Sequence, residues 1–225
     1  MSNAKDMVRR LKTVASQVKS AATWNGSLLP VDATKDDYIY ELYCYFDLAV
    51  VASAHFGLRV SGEFDINHNG KRAAKWPKKP ANKKNYSYLS LREPVAGDEI
   101  FQLCPGIKVQ DRHGKARAPD INLLWAAAPD EPSHAHAVAI WDAKYTCKIG
   151  TRLPDTAVSD FFVTYQQLGS PKPSALWTLR VKEAEWRQSG LLTNGLESTE
   201  PDATLIEYGV SETSGLPDGP LKTRP

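Results

Sequence analysis

Four residues, Glu41, Asp120, Asp142 and Lys144, carry ionisable groups where the surrounding sequence is apolar. Asp142 and Lys144 interrupt the run AVAIWDAKYT. In a strand successive side chains take opposite faces, so these two share one face while Trp141, Ala143 and Tyr145 take the other. An unpaired buried charge is costly, and a mutual ion pair is the simplest account of the two. The preceding apolar run complicates that account. Asp120 opens INLLWAAA directly after Pro119, which can bring a second carboxylate to a strand end beside Asp142. Converging carboxylates repel and raise a pKa unless a divalent cation sits between them, and magnesium is the hard, oxygen-seeking ion such donors select. Glu41 shares a helical stripe with Tyr38, Tyr45 and Leu48, so a third acid faces the core.

Elements that position these groups follow from periodicity and breakers. Residues 5–20 form a basic helix with Val8, Leu11, Val14, Ala15 and Val18 on one side, a docked terminal helix in preference to a DNA-contacting arm. A second helix starts at the cap Thr34, with Asp36 and Asp37 in its first turn, and runs to Gly57. LRVSGEFDI is a strand leading into a turn at Asn67-His68-Asn69-Gly70. That turn opens like a calcium loop, but Trp76 stands where a bidentate glutamate is required. EIFQLCPGIKV, APDINLLWAAA and AVAIWDAKYT are successive strands. SDFFVTYQQLG is a helix capped by Ser159, and SALWTLRV is a further strand.

This arrangement resembles the PD-(D/E)XK nuclease superfamily. Pro119-Asp120 corresponds to the PD half, Asp142-Ala143-Lys144 to the (D/E)XK half, and Glu41 to the helix-borne acid. Gln166, or its neighbour Gln167, stands where the following helix often carries a glutamine. The acid-x-Lys pattern occurs once in the chain, whereas Pro-Asp occurs repeatedly, so the strand context and order carry the likeness. The resemblance spans roughly residues 36 to 181. It implies an α/β fold with a restriction-endonuclease-like core, a central mixed sheet of four to five strands flanked by helices, in the order α-β-β-β-α-β. It also implies a Mg2+-dependent endonuclease, with Mn2+ as a substitute, that hydrolyses DNA to 5′-phosphate and 3′-hydroxyl ends in restriction, defence or repair. Asp120, Asp142, the Ala143 carbonyl and Glu41 would hold the metal. Lys144 would position the attacking water or neutralise charge on the phosphate, and Gln166 would orient the nucleophile.

Composition limits the alternatives. The chain has 225 residues, with Lys+Arg 28 against Asp+Glu 26, a formal charge of +2 that excludes a polycation. Seven of those bases, Lys71, Arg72, Lys75, Lys78, Lys79, Lys83 and Lys84, fall in one acid-free stretch, 71–84, leaving 21 bases against 26 acids elsewhere. The small total thus conceals an acidic remainder and a basic loop suited to phosphate. Its prolines argue against a helix, and Trp76 is its one aromatic residue.

Cys44, Cys104 and Cys147 form no CxxC pair, and no window is long and apolar enough for a membrane span or signal core, which fits a cytoplasmic protein. His134-x-His136 is a weak zinc candidate without a third ligand, and no nucleotide-binding glycine loop or nucleophile elbow appears. The organisation expected is a basic helix and linker over 1–30, a nuclease-like domain over 31–195, and a strand with a loose acidic tail over 196–225. DNA is the expected partner, with RNA left open. A homodimer, or a partner subunit or fused domain of a defence system, would extend it. The competing class is a catalytically silent nuclease-like subunit that binds nucleic acid or assembles with a partner.

Overall fold

A computed structural model of the chain describes residues 4–21, 36–56, 59–63, 74–92, 98–145, 155–169 and 190–193. The elements are α1 (Ala4–Ala21), α2 (Asp36–Phe56), β1 (Arg59–Glu63), β2 (Tyr88–Arg92), β3 (Glu99–Pro105), β4 (Val109–Gln110), β5 (Ala116–Arg117), β6 (Ile121–Trp125), β7 (Ala137–Lys144), α3 (Asp155–Gln167) and β8 (Gly190–Thr193). The class is mixed α/β. A six-stranded sheet runs in the order β1-β2-β3-β6-β7-β8, while β4 and β5 form a separate small ribbon. The sheet is one strand wider than the four to five expected. It is antiparallel from β1 to β7, and β8 alone runs parallel to its neighbour β7.

Alternation along the strands sends apolar side chains to both faces. Leu89, Leu91, Phe101, Leu103, Ile121, Leu123, Ala139 and Trp141 form the core shared with α2. About three turns of α2 are lined by Tyr38, Leu42, Tyr45 and Leu48, with further aromatics around them, so the helix is buried on most sides there. Tyr45 satisfies its hydroxyl on the Leu103 carbonyl at 2.9 Å. Leu11, Val14, Ala15 and Val18 of α1 join the same core at helical spacing, as the docked-helix reading expects. On the opposite face, Cys104, Leu124 and Ile140 meet Phe161, Tyr165 and Leu168, spaced four and three apart along α3.

Several boundaries differ from those read in the sequence. Strand β2 was not expected, although Leu89 and Leu91 alternate with Ser90, because it follows the basic stretch directly. Helix α3 starts at Asp155, so Ser159 is a helical residue and not its cap. His134 and His136 lie in a 3-10 turn before β7 instead of on a strand face. His136 Nδ1 accepts from the Ser133 N–H at 3.1 Å, which closes the turn. The expected turn at 67–70, the strand over 174–181, Cys147 and the tail beyond 193 lie outside the described residues.

Candidate active site

Register brings the two strand-borne acids together. Ile121 pairs with Trp141, so Asp120, one residue earlier, arrives beside Asp142. Their carboxylates lock the strands reciprocally. The Asp120 N–H donates to Asp142 Oδ1 at 3.1 Å, and the Ala143 N–H donates to Asp120 Oδ2 at 2.8 Å. Lys144, two residues beyond Asp142 on the same face, places Nζ 3.4 Å from Asp142 Oδ2 and 3.6 Å from Asp120 Oδ2. One ammonium therefore serves two carboxylates. The three side chains are 24%, 17% and 35% exposed for Asp120, Asp142 and Lys144, so the cluster is open to solvent on one side.

Glu41 approaches from α2. It lines a cavity of about 150 Å³ together with Asp120, Tyr38, Lys78, Lys79 and Gly106. Burial, and then the negative charge of Asp120, push its carboxyl up to about 8, with Lys144 only partly offsetting them. Asp120 is lifted to about 6 by burial and by Asp142, against the pull of Lys144 and the Ala143 N–H. Burial alone would lower the Lys144 pKa, but Asp142 and Asp120 outweigh it and raise it above its ordinary value. Two carboxylates thus share one lysine, and Glu41 is coupled to them electrostatically from α2.

Among the described residues, no three His, Cys, Asp or Glu side chains gather closely enough to hold a metal by themselves. Asp120 and Asp142 converge as expected, whereas Glu41 lines a cavity with Asp120 alone of the two and closes no three-acid cluster. Gln166 lies on the exposed side of α3, apart from the interactions that link the other four, while its neighbour Gln167 buries Oε1 without a hydrogen-bond partner. The orienting glutamine expected at 166 is therefore not part of the cluster, because α3 turns Phe161, Tyr165 and Leu168 toward the sheet.

The basic stretch divides in two. Lys78 and Lys79 are exposed at the cavity, and Lys75 and Lys84 are exposed elsewhere, Lys75 lying 4.9 Å over the Tyr86 ring. Lys83 departs from expectation. It is buried, donates to the Ala128 carbonyl at 2.6 Å and sits 5.0 Å over the Tyr88 ring, so it holds the fold together instead of facing a phosphate. Trp76 is likewise buried, edge-on to Phe46 and against Tyr45, and offers no stacking surface. Lys71 and Arg72 lie outside the described residues. Sequence reasoning missed Gly106, whose N–H donates to the Asp120 carbonyl at 2.7 Å; the Pro105-Gly106 dipeptide was the available signal.

Compared with models of protein families, with curated proteins and with solved structures, the chain matches none.

Proposed function

We propose that the chain is a divalent-metal-dependent nuclease with a restriction-endonuclease-like core, hydrolysing phosphodiester bonds of DNA. The observation that carries this reading is the convergence of Asp120 and Asp142 from adjacent strands onto the single ammonium of Lys144, at 3.6 and 3.4 Å. A structural ion pair needs one acid per base, whereas this site gathers two acids at the base, and a third, Glu41, lines a cavity with one of them, Asp120. The donor set fits Mg2+ or Mn2+, since it offers hard carboxylate oxygens, partly exposed and under mutual repulsion that a cation relieves. Asp120 and Asp142 would hold the ion with the Ala143 carbonyl, and water would complete the shell. A bound divalent ion supplies a more acidic water and neutralises charge on the phosphate.

The remaining chemistry belongs to the chain. Lys144 stands where its ammonium can stabilise charge growing on a phosphate oxygen, an interaction that strengthens in the transition state. Glu41, lifted to about 8, keeps its proton at neutral pH until a cation lowers it. Reciprocal hydrogen bonds between Asp120 and the 142–143 backbone hold the carboxylates in place before substrate arrives, which limits reorganisation during the reaction.

One observation favours a second reading, in which a nuclease-like subunit binds nucleic acid or a partner without cutting it. Lys144 contacts both carboxylates, so the pair is neutralised in part without a metal. Cleavage of labelled duplex and single-stranded DNA with Mg2+, Mn2+ or EDTA separates the two. The nuclease reading expects metal-dependent cutting that falls at least about a hundredfold in Asp120→Asn and Lys144→Ala. Metal-independent cutting, or cutting undiminished in both variants, would refute it, and DNA binding with no cutting in any metal would support the silent subunit.

A further inference from the structure

Residues 77–81 are tied to the strand corner that carries Asp120. The Ala81 N–H donates to the Gly106 carbonyl at 3.1 Å, and the Lys108 N–H donates to the Ala81 carbonyl at 2.8 Å, forming a parallel bridge between Ala81 and Ile107. Tyr38 reaches the Trp76 carbonyl at 3.5 Å from the α2 side, and Ser87 and Lys75 bond reciprocally through Ser87 N–H to Lys75 O at 2.8 Å and Lys75 N–H to Ser87 Oγ at 2.9 Å. Pro77 and Pro80 fix φ on either side of Lys78 and Lys79. The two lysines therefore stand on a braced wall of the cavity that Glu41 and Asp120 line on its other side. Gly106 is the point of closest approach. Its φ is +53°, and a Cβ there would lie 3.1 Å from Pro77 Cγ.

We infer that Gly106 is a positioning residue for phosphate recognition, setting the Pro77–Pro80 wall so that Lys78 and Lys79 bind phosphates flanking the one placed at the carboxylates. This rests on the nuclease reading for the identity of the substrate. Only a residue without a side chain combines the left-handed backbone with contact against Pro77, and the same residue donates to the Asp120 carbonyl at 2.7 Å. The wall and the acid are thereby joined through the two backbone groups of one residue, the Gly106 N–H to Asp120 and the Gly106 carbonyl to Ala81. Lys84, exposed but outside the cavity lining, is not part of this contact and serves as its control.

Equilibrium binding of fluorescein-labelled duplex DNA in EDTA, followed by anisotropy over a range of salt, reads this directly. Each phosphate contact contributes about 0.9 to the slope of log K against log salt, so Lys78→Ala/Lys79→Ala should flatten the slope by about 1.8, and Lys84→Ala should leave it unchanged. Gly106→Ala should weaken binding about tenfold or more at 0.1 M salt and flatten the slope in the same sense. Adding Pro77→Ala removes the Cγ that the new Cβ meets and should restore much of the affinity, which a general loss of stability would not allow. If Gly106→Ala fails to fold, Gly106→Asn, which tolerates positive φ but carries the same Cβ, replaces it. A wild-type slope in the lysine pair variant, or in a folded Gly106 variant, overturns the inference while leaving the nuclease reading intact. Absence of DNA binding by the wild type also overturns the inference, whereas the nuclease reading falls only on the cleavage assay.

Discussion

Replacing Glu41 by Gln should stabilise the metal-free protein at alkaline pH. In the unfolded chain the carboxyl ionises near 4.5, and in the folded protein burial and Asp120 hold it protonated up to about 8. Below 4.5 both states carry the proton and Glu41 adds no pH dependence. Between 4.5 and about 8 the unfolded state releases a proton that the folded state keeps, so stability falls as pH rises, and above about 8 the full penalty is present. At roughly 1.4 kcal/mol per pH decade the interval amounts to about 5 kcal/mol, which water in the open cavity reduces to about 2–3 kcal/mol. Glutamine has the same shape and no charge. Urea unfolding in EDTA from pH 5 to 9 should give wild-type and Glu41→Gln curves that agree near pH 5 and separate by about 2–3 kcal/mol near pH 9, with the variant more stable. Curves that stay parallel over the whole range, or a wild type that gains stability relative to the variant as pH rises, would refute the reasoning that Glu41 is buried among negative charge.

Two further outcomes follow from the same geometry. Asp142→Asn keeps an oxygen able to accept the Asp120 N–H but removes a charge, so Mn2+ affinity measured by calorimetry should fall at least about tenfold while the urea midpoint changes little; an unchanged affinity would exclude Asp142 as a ligand. Lys83→Met removes the donor to the Ala128 carbonyl and its charge over Tyr88, and should cost about 2–3 kcal/mol in urea unfolding with no change in the salt dependence of DNA binding; a flatter slope would return Lys83 to the phosphate-binding set.

Much of the site was legible because period and chemistry conflict at few places. Asp142 and Lys144 stand out in an apolar strand, and period two puts them on one face, where the structure has the Lys144 ammonium in contact with Asp142 and also with Asp120. Asp120 was legible from its place at the start of the next strand inward. Glu41 was legible as an inward-facing helical acid, but its distance from the other two depends on how α2 packs over Trp141 and Ala143, which no local pattern encodes. Lys83 was misassigned for a related reason. Charge counts treat seven bases alike, whereas the segment after β6 delivers the Ala128 carbonyl and β2 delivers Tyr88 to one of them. The Pro105-Gly106 dipeptide marked a turn, but not that a Cβ at Gly106 would meet Pro77, 29 positions earlier in sequence. The exposed setting of Gln166 follows from the rotation of α3, which Phe161, Tyr165 and Leu168 set only once the sheet surface is known.

The parallel pairing of β8 has a consequence for synthesis. Asp142, Ala143 and Lys144 pair with Leu191, Leu192 and Thr193, so the backbone bearing the reactive groups gains its second neighbour only from residues made some fifty positions later. An antiparallel hairpin such as β6 and β7 can close as soon as both strands leave the ribosome, but a parallel partner must wait for the intervening chain. While residues 190–193 are still inside the exit tunnel, β7 remains an open edge. The strand that carries Asp142 and Lys144 would therefore gain its parallel neighbour late, after most of the polypeptide is free.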